Sequence, residues 1–392
     1  MKSFTTVAIV AAIAATASAK KCQNITVPVT ISARNGYFDP AIVPATDIDV
    51  TNIILDLGQL GKNYTQAQLK SYKTVHGSYE LATTYCAPDK GAPNVVQVLT
   101  HGVGFDRSYW DLPFNNNNYS YVNEAVDHYG YATFSHDRLG IGMSSKGDPL
   151  NEIQVLLEVA ALKALTDKLR AGQIANVPKF QKVLHVGHSF GSIMSYALTA
   201  QYPTISDGLG LTGFSQNGSF IASFLNGNNF RQANAFPQFA QLPNGYFAPA
   251  SEQGVQLSFL SPGDFDPALL PVFFKTGQPV TIGELLTQGG AAGAPNPIKA
   301  PVHIVTGERD IPFCGGNCFS APTGLQSIPE SSKAMFKNAC PFKVSIIPGA
   351  GHGLNQLYSH VQTYKEILDF FVQNGVAPGG YQPPYGGKPH GY

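Results

Sequence analysis

A chain of 392 residues, 43% hydrophobic and only 13% charged, suits one large domain with a sizeable core and is too apolar for a disordered segment. Its 25 basic and 25 acidic residues balance, and no Lys/Arg stripe appears. Nucleic acid, an anionic membrane surface or a polyanionic substrate is therefore not expected as a partner.

In chain order, Met1-Lys2-Ser3, a short apolar run and Ala17-Ser18-Ala19 have the layout of a secretory signal, with cleavage expected after Ala19. No later run of 18 apolar residues follows, so the mature protein is expected to be secreted without a stable membrane anchor. Export implies an oxidising environment, in which Cys22, Cys86, Cys314, Cys318 and Cys340 read as two disulfides and one free thiol. Cys22 opens the first expected strand and Cys86 closes the second, so an antiparallel hairpin would join them; pairing among the other three stays open. Sequons at Asn24, Asn63, Asn118 and Asn217 fit a glycoprotein.

Eight strands are expected at 25–32, 75–86, 95–100, 131–135, 183–186, 209–214, 302–305 and 344–347, with helices at 121–129, 152–169, 190–201 and 356–373. Strands alternating with helices predict an α/β fold: an eight-stranded, mostly parallel sheet with helices on both faces, formed by 20–214 and 301–377. Residues 36–72 read as an insertion in the N-terminal region. The interval 215–300 is too long for a crossover and rich in Phe, Gly, Asn and Pro, so it reads as a cap or lid of helical and irregular structure. Most of its phenylalanines are expected to form its own core, and some to line an apolar pocket. The Gly/Pro/Tyr-rich stretch 378–392 reads as a flexible tail.

Between the fifth strand and the helix after it stands Gly187-His188-Ser189-Phe190-Gly191. A strand that turns at once into a helix strains the turning residue and needs small neighbours, which makes Ser189 a candidate nucleophile. A serine hydroxyl near neutral pH needs a base, an acid to orient that base, and donors for the oxyanion. His352, in Gly349-Ala350-Gly351-His352-Gly353 after the last strand, alone among ten histidines combines a late position with a glycine-rich loop. His188, next to Ser189, is expected to point elsewhere. The acid should leave a strand between Ser189 and His352. Asp310 does so, with Glu308 the fallback, and no acidic residue lies between Asp207 and Glu252 to compete. The oxyanion donors are expected to be the backbone N–H groups of Phe190 and of Val103 in Thr100-His101-Gly102-Val103-Gly104. This chemistry needs no metal and no organic cofactor.

These residues, together with His101-Gly102 and with Asp137-Arg138-Leu139-Gly140-Ile141-Gly142-Met143-Ser144, resemble the α/β-hydrolase superfamily in the order nucleophile, acid, histidine. The likeness spans about 95–373 and is closest to capped α/β hydrolase-1 type enzymes, similar in secreted form to fungal members. It implies a mainly structural role for the Asp137 to Ser144 loop. The expected function is a secreted serine hydrolase, most simply a carboxylic-ester hydrolase acting on a small apolar substrate. The alternatives are a proline-type aminopeptidase or other amidase, whose cap would need Glu252, Asp264, Asp266 or Glu284 to hold a substrate amine, and a biosynthetic acyltransferase or cyclase. A non-catalytic small-molecule binder on the same scaffold is the reading from another class.

Overall fold

The computed structural model describes residues 20–381 apart from Lys90, so the signal expected over 1–19 and the end of the expected tail lie outside the described residues. The chain runs β1 (Lys20–Phe38), α1 (Asp47–Leu57), α2 (Tyr64–Gln68), β2 (Leu69–Pro88), β3 (Val95–Thr100), α3 (Tyr121–Asn123), β4 (Ala132–His136), α4 (Val155–Ala171), β5 (Lys182–His188), α5 (Phe190–Gln201) and β6 (Gly208–Thr212). It continues through α6 (Ile221–Asn228), β7 (Arg231–Gln232), β8 (Tyr246–Ala248), α7 (Glu252–Phe259), α8 (Leu269–Thr276), β9 (Val280–Thr281) and α9 (Ile282–Ala291) to β10 (Val302–Gly307), α10 (Ile311–Cys314), β11 (Phe342–Ile347) and α11 (His360–Gln373).

Eight strands form one sheet in the order β1-β2-β4-β3-β5-β6-β10-β11. The β1–β2 and β2–β4 pairs are antiparallel; the others are parallel. Strands β3, β4 and β6 are buried along their whole length, as the near-continuous apolar runs of parallel strands require. Alternation along β5 shows that both faces are covered. His185 donates to or accepts from Thr166 of α4 at 2.9 Å, whereas Leu184 lies on the side where Phe371 of α11 packs.

The hairpin departs most from expectation. Pairing runs from Lys20↔Pro88 to Phe38↔Leu69, well past the expected 25–32 and 75–86. In its distal half β2 has no buried position over 69–78, but Arg34 Cζ sits 4.7 Å from the Tyr72 ring centroid and Lys73 Nζ 3.1 Å from that of Tyr37, cross-strand cation–aromatic contacts that favour the pairing. The stretch 36–72 comprises the hairpin's far end and, between its strands, the excursion that holds α1 and α2. The helix expected at 121–129 is one turn that widens into a π-turn over Glu124–His128, and the last helix starts at His360 rather than 356.

Between β6 and β10 lie four helices and a small antiparallel sheet, β7-β8-β9, whose two- and three-residue strands are too short to leave a periodic signal. This segment also meets the hairpin excursion. Arg231 pairs with Asp47 at 2.8 Å, Gln232 Nε2 donates to the Pro44 carbonyl at 2.7 Å, and α1 touches α6 where Gly58 faces Ala222.

Cys22 stands directly opposite Cys86 in the register and is bonded to it; a second disulfide joins Cys314 to Cys318, and Cys340 is free and exposed. The first bridge closes a separation of 64 residues, the second only 4. Loop-closure entropy therefore predicts that a Cys22→Ala/Cys86→Ala double variant loses about 4 kcal/mol of unfolding free energy. Denaturant midpoints with and without the pair check this; an unchanged midpoint would contradict it. Tyr381, within the expected tail, stacks on Tyr129 with centroids 5.5 Å apart.

Candidate active site

Ser189 is where the sheet gives way to a helix. Its φ of 54° and ψ of −116° lie in a region that side-chain-bearing residues seldom occupy, and strain of this kind persists only where the surroundings enforce it. They do so here. The Ser189 N–H is held by the Thr212 carbonyl at 2.9 Å, and a Cβ at Gly191 would stand 2.1 Å from the Thr100 carbonyl oxygen, so only glycine lets α5 pass that close to β3.

The structure brings Ser189, His352 and Asp310 together. Ser189 Oγ lies 2.8 Å from His352 Nε2, and His352 Nδ1 lies 2.7 Å from Asp310 Oδ2. A carboxylate only accepts, so Nδ1 carries the proton and Nε2 is left to accept from the serine hydroxyl. Asp310 is in turn fixed: Oδ2 accepts from Thr306 Oγ1 at 2.9 Å, and Oδ1 caps α10 by accepting from the Phe313 N–H at 2.9 Å. Glu308, the fallback acid, is instead used by the Gly349 N–H at 2.8 Å. The His352 loop reaches Ser189 by crossing tightly over segment 215–300, and a Cβ at Gly351 would stand 2.8 Å from the Phe259 carbonyl oxygen.

Phe190 opens α5, where helical N–H groups have no intrahelical partner. Val103 is buried beside the elbow, and its N–H is oriented by a neighbour. His101 Nε2 accepts from the Arg138 N–H at 3.0 Å, which puts the ring proton on Nδ1, and Nδ1 donates to the Gly102 carbonyl at 2.9 Å. In a trans peptide the Val103 N–H points opposite to that carbonyl. Burial, reinforced by the Arg138 charge, holds the His101 pKa well below its usual value, so the ring stays neutral in this role.

His188 contacts Thr212 Oγ1 through Nδ1 at 3.2 Å rather than Ser189, yet its ring comes within 5.0 Å of the His352 ring. Burial and the neighbouring His352 push its pKa well down, leaving it neutral. Asp137 accepts from the Arg107 and Met143 N–H groups at 3.0 and 2.8 Å and pairs with the Arg107 guanidinium, which ties its loop together.

Aromatic rings enclose the three residues. Phe224 and Phe259 of segment 215–300 each lie 5.8 Å from the His352 ring, Phe313 lies 5.9 Å away, and Phe105 packs against Phe259 and Phe273 at 5.0 Å. Other phenylalanines serve the segment itself: Phe239 belongs to a small cluster with Ala233, Leu242 and Tyr246. Ser189 is 8% exposed, and the cavity beside Phe259 and Phe273, of about 20 Å³, has room for little more than a water molecule. Phe105, Tyr109 and Phe313 were not singled out from sequence, nor was a buried ion cluster at Arg138. The Thr281-Ile282-Gly283-Glu284 capping box that positions one member of that cluster is a readable signal.

An eight-stranded, mostly parallel sheet that carries a strained serine elbow, with an acid after β10 and a histidine after β11, defines a hydrolase of the α/β class. The chain belongs to the alpha/beta hydrolase family, whose model matches residues 97–364. Its fold is similar to that of an esterase from Thermogutta terrifontis, at 16% identity and a TM-score of 0.50, with 76% of this chain and 94% of that one covered. It is likewise similar to a monoacylglycerol lipase from Paleococcus ferrophilus, at 16% identity and a TM-score of 0.50, covering 75% and 99%. No curated protein sequence matches the chain.

Proposed function

We propose that this chain is a secreted serine hydrolase that cleaves carboxylic esters of apolar substrates. The observation that carries the reading is the unbroken relay from Ser189 Oγ through His352 to Asp310, at 2.8 and 2.7 Å, on a strained elbow. Ser189 attacks the ester carbonyl while its proton passes to His352 Nε2. Asp310 stabilises the imidazolium, and the N–H groups of Phe190 and Val103 receive the oxyanion. His352 then protonates the departing alcohol, and a water activated by the same ring releases the acid.

The aromatic enclosure favours an apolar acyl or alcohol group, and the segment 215–300 acts as its cap. Ser189 is nearly covered, so the cap has to part from it when substrate enters. Three of the four acidic residues that an aminopeptidase would use, all but Glu252, are engaged elsewhere: Glu284 with Arg138, Asp264 with Ser359 at 2.6 Å, and Asp266 with the Ala268 N–H at 2.9 Å. Secretion is supported by the two disulfides and by exposed Asn24, Asn63 and Asn118. Among the described residues no helix is long and apolar enough to cross a membrane.

Turnover of aryl esters graded in acyl length should exceed that of a prolyl anilide by more than tenfold in kcat/KM. Faster hydrolysis of the anilide would overturn the ester assignment.

A further inference from the structure

Three parts of the molecule meet on one buried guanidinium that the reaction does not use. Arg138 Nη1 donates to Glu158 Oε1 of α4 at 2.7 Å and to Glu284 Oε1 of α9, all three side chains being fully buried. The Arg138 Cζ lies 4.4 Å from the centroid of the Phe190 ring, a cation–π contact. Its backbone N–H holds His101, which in turn holds the peptide that carries the Val103 N–H. One residue thus touches both arms proposed for the oxyanion.

The third part is segment 215–300. Glu284 stands in the first turn of α9, where its Oε2 accepts from the Thr281 N–H at 2.6 Å, and Thr281 Oγ1 donates to the Ile153 carbonyl at 3.0 Å. Glu284 can reach Arg138 only while α9 is seated on the residues that precede α4. A buried ion pair is a poor source of net stability compared with apolar packing, but its directionality makes it a good register device. Two carboxylates share this guanidinium, and they are not equivalent. Glu158 belongs to α4 and is unaffected when α9 moves, whereas Glu284 belongs to segment 215–300; burial, outweighing the attraction of Arg138, pushes the Glu158 pKa well above the usual range.

We propose that Arg138 is a positioning residue, and that its pairing with Glu284 makes the seating of segment 215–300 a condition for the Val103 and Phe190 N–H groups to converge on the oxyanion. The cap then does more than admit substrate. When α9 lifts, the Ser189–His352–Asp310 relay survives and the acceptor for the developing charge is lost. This inference rests on the reading of Ser189 as the nucleophile.

The test compares Glu284→Gln with Glu158→Gln, both close in shape to the wild type, using a p-nitrophenyl ester and a trifluoromethyl ketone whose adduct places an oxyanion in the same position. Glu284→Gln is expected to lower kcat about 10²-fold with KM within threefold, and to weaken ketone inhibition by a similar factor. Glu158→Gln is expected to leave kcat within threefold. A Glu284 that only holds the fold together would change the melting temperature while kcat, measured well below it, stayed within threefold; that result overturns the proposal, as does a change confined to KM. If Glu284→Gln does not fold, Arg138→Lys serves instead, with the same loss of kcat expected and unchanged kcat contradicting the proposal. A wild type inert to both ester and fluorophosphonate would overturn the serine reading itself and this inference with it, whereas an active wild type with an equally active Glu284→Gln variant overturns this inference alone.

Discussion

His352→Ala is expected to lower ester turnover by roughly 10⁴- to 10⁶-fold, because without Nε2 at 2.8 Å nothing takes the Ser189 proton and nothing returns one to the leaving alcohol. Asp310→Asn should cost roughly 10⁴-fold for a different reason. An amide nitrogen in place of Oδ2 would donate to His352 Nδ1, moving the ring proton to Nε2, so that the ring could no longer accept from Ser189. The carboxylate's other partners, Thr306 Oγ1 and the Phe313 N–H, leave the geometry otherwise supported. Glu308→Gln is the matched control. Its carboxylate accepts from the Gly349 N–H and does not touch His352, so kcat should stay within threefold of wild type. Steady-state kinetics on purified variants of unchanged circular dichroism check all three. A Glu308→Gln variant more damaged than Asp310→Asn would reverse the assignment of the acid.

Gly191→Ala should be among the most destabilising single substitutions in the chain. The added Cβ would stand 2.1 Å from the Thr100 carbonyl oxygen and 2.7 Å from that of His101, and both are backbone atoms that cannot rotate away. Relief requires α5 to lift from β3, carrying Phe190 and the elbow with it, at about 3 kcal/mol or more. Gly289→Ala provides the contrast. That position lies in α9 and is exposed, with nothing within 4 Å of a new Cβ, so alanine should stabilise by about 0.5–1 kcal/mol. Denaturant titration of both variants tests the pair. A Gly191→Ala protein as stable as Gly289→Ala would show that α5 does not approach β3 so closely.

The sheet was readable from sequence because β3, β5 and β10 carry short runs rich in β-branched residues, buried along nearly their whole length, with helical patterns recurring between the strands. Asp310 and His352 were readable for a related reason: each leaves the carboxyl end of a strand, the edge to which parallel connections bring loops from distant parts of the chain. Chain order also separated Asp310 from Asp137, whose carboxylate braces its own loop. What escaped detection depends on contacts between segments far apart in the chain. Arg138 and Glu284 are 146 residues apart, and neither carries a local mark of its partner. The excursion with α1 gave no hint that Asp47 would pair with Arg231. The hairpin's distal half went unread because β2 is exposed at every position from Lys70 to Thr74 and shows no alternation there, although Tyr, Arg and Lys residues of the two strands form the cross-strand contacts.

The division of labour among the phenylalanines follows from position rather than type. Phe239 sits among the short strands and turns of segment 215–300 and packs within it, whereas Phe224 and Phe259, on α6 and α7, face His352. The same residue type thus supplies the segment's own core and the apolar lining beside His352.

The most direct test of the account is reaction with an alkyl fluorophosphonate followed by peptide mapping. The account predicts one phosphonyl group, on Ser189, with ester turnover lost in step with labelling and no label on Ser189→Ala. A wild type that stays unlabelled, or a Ser189→Ala variant labelled as fast as wild type, would contradict it.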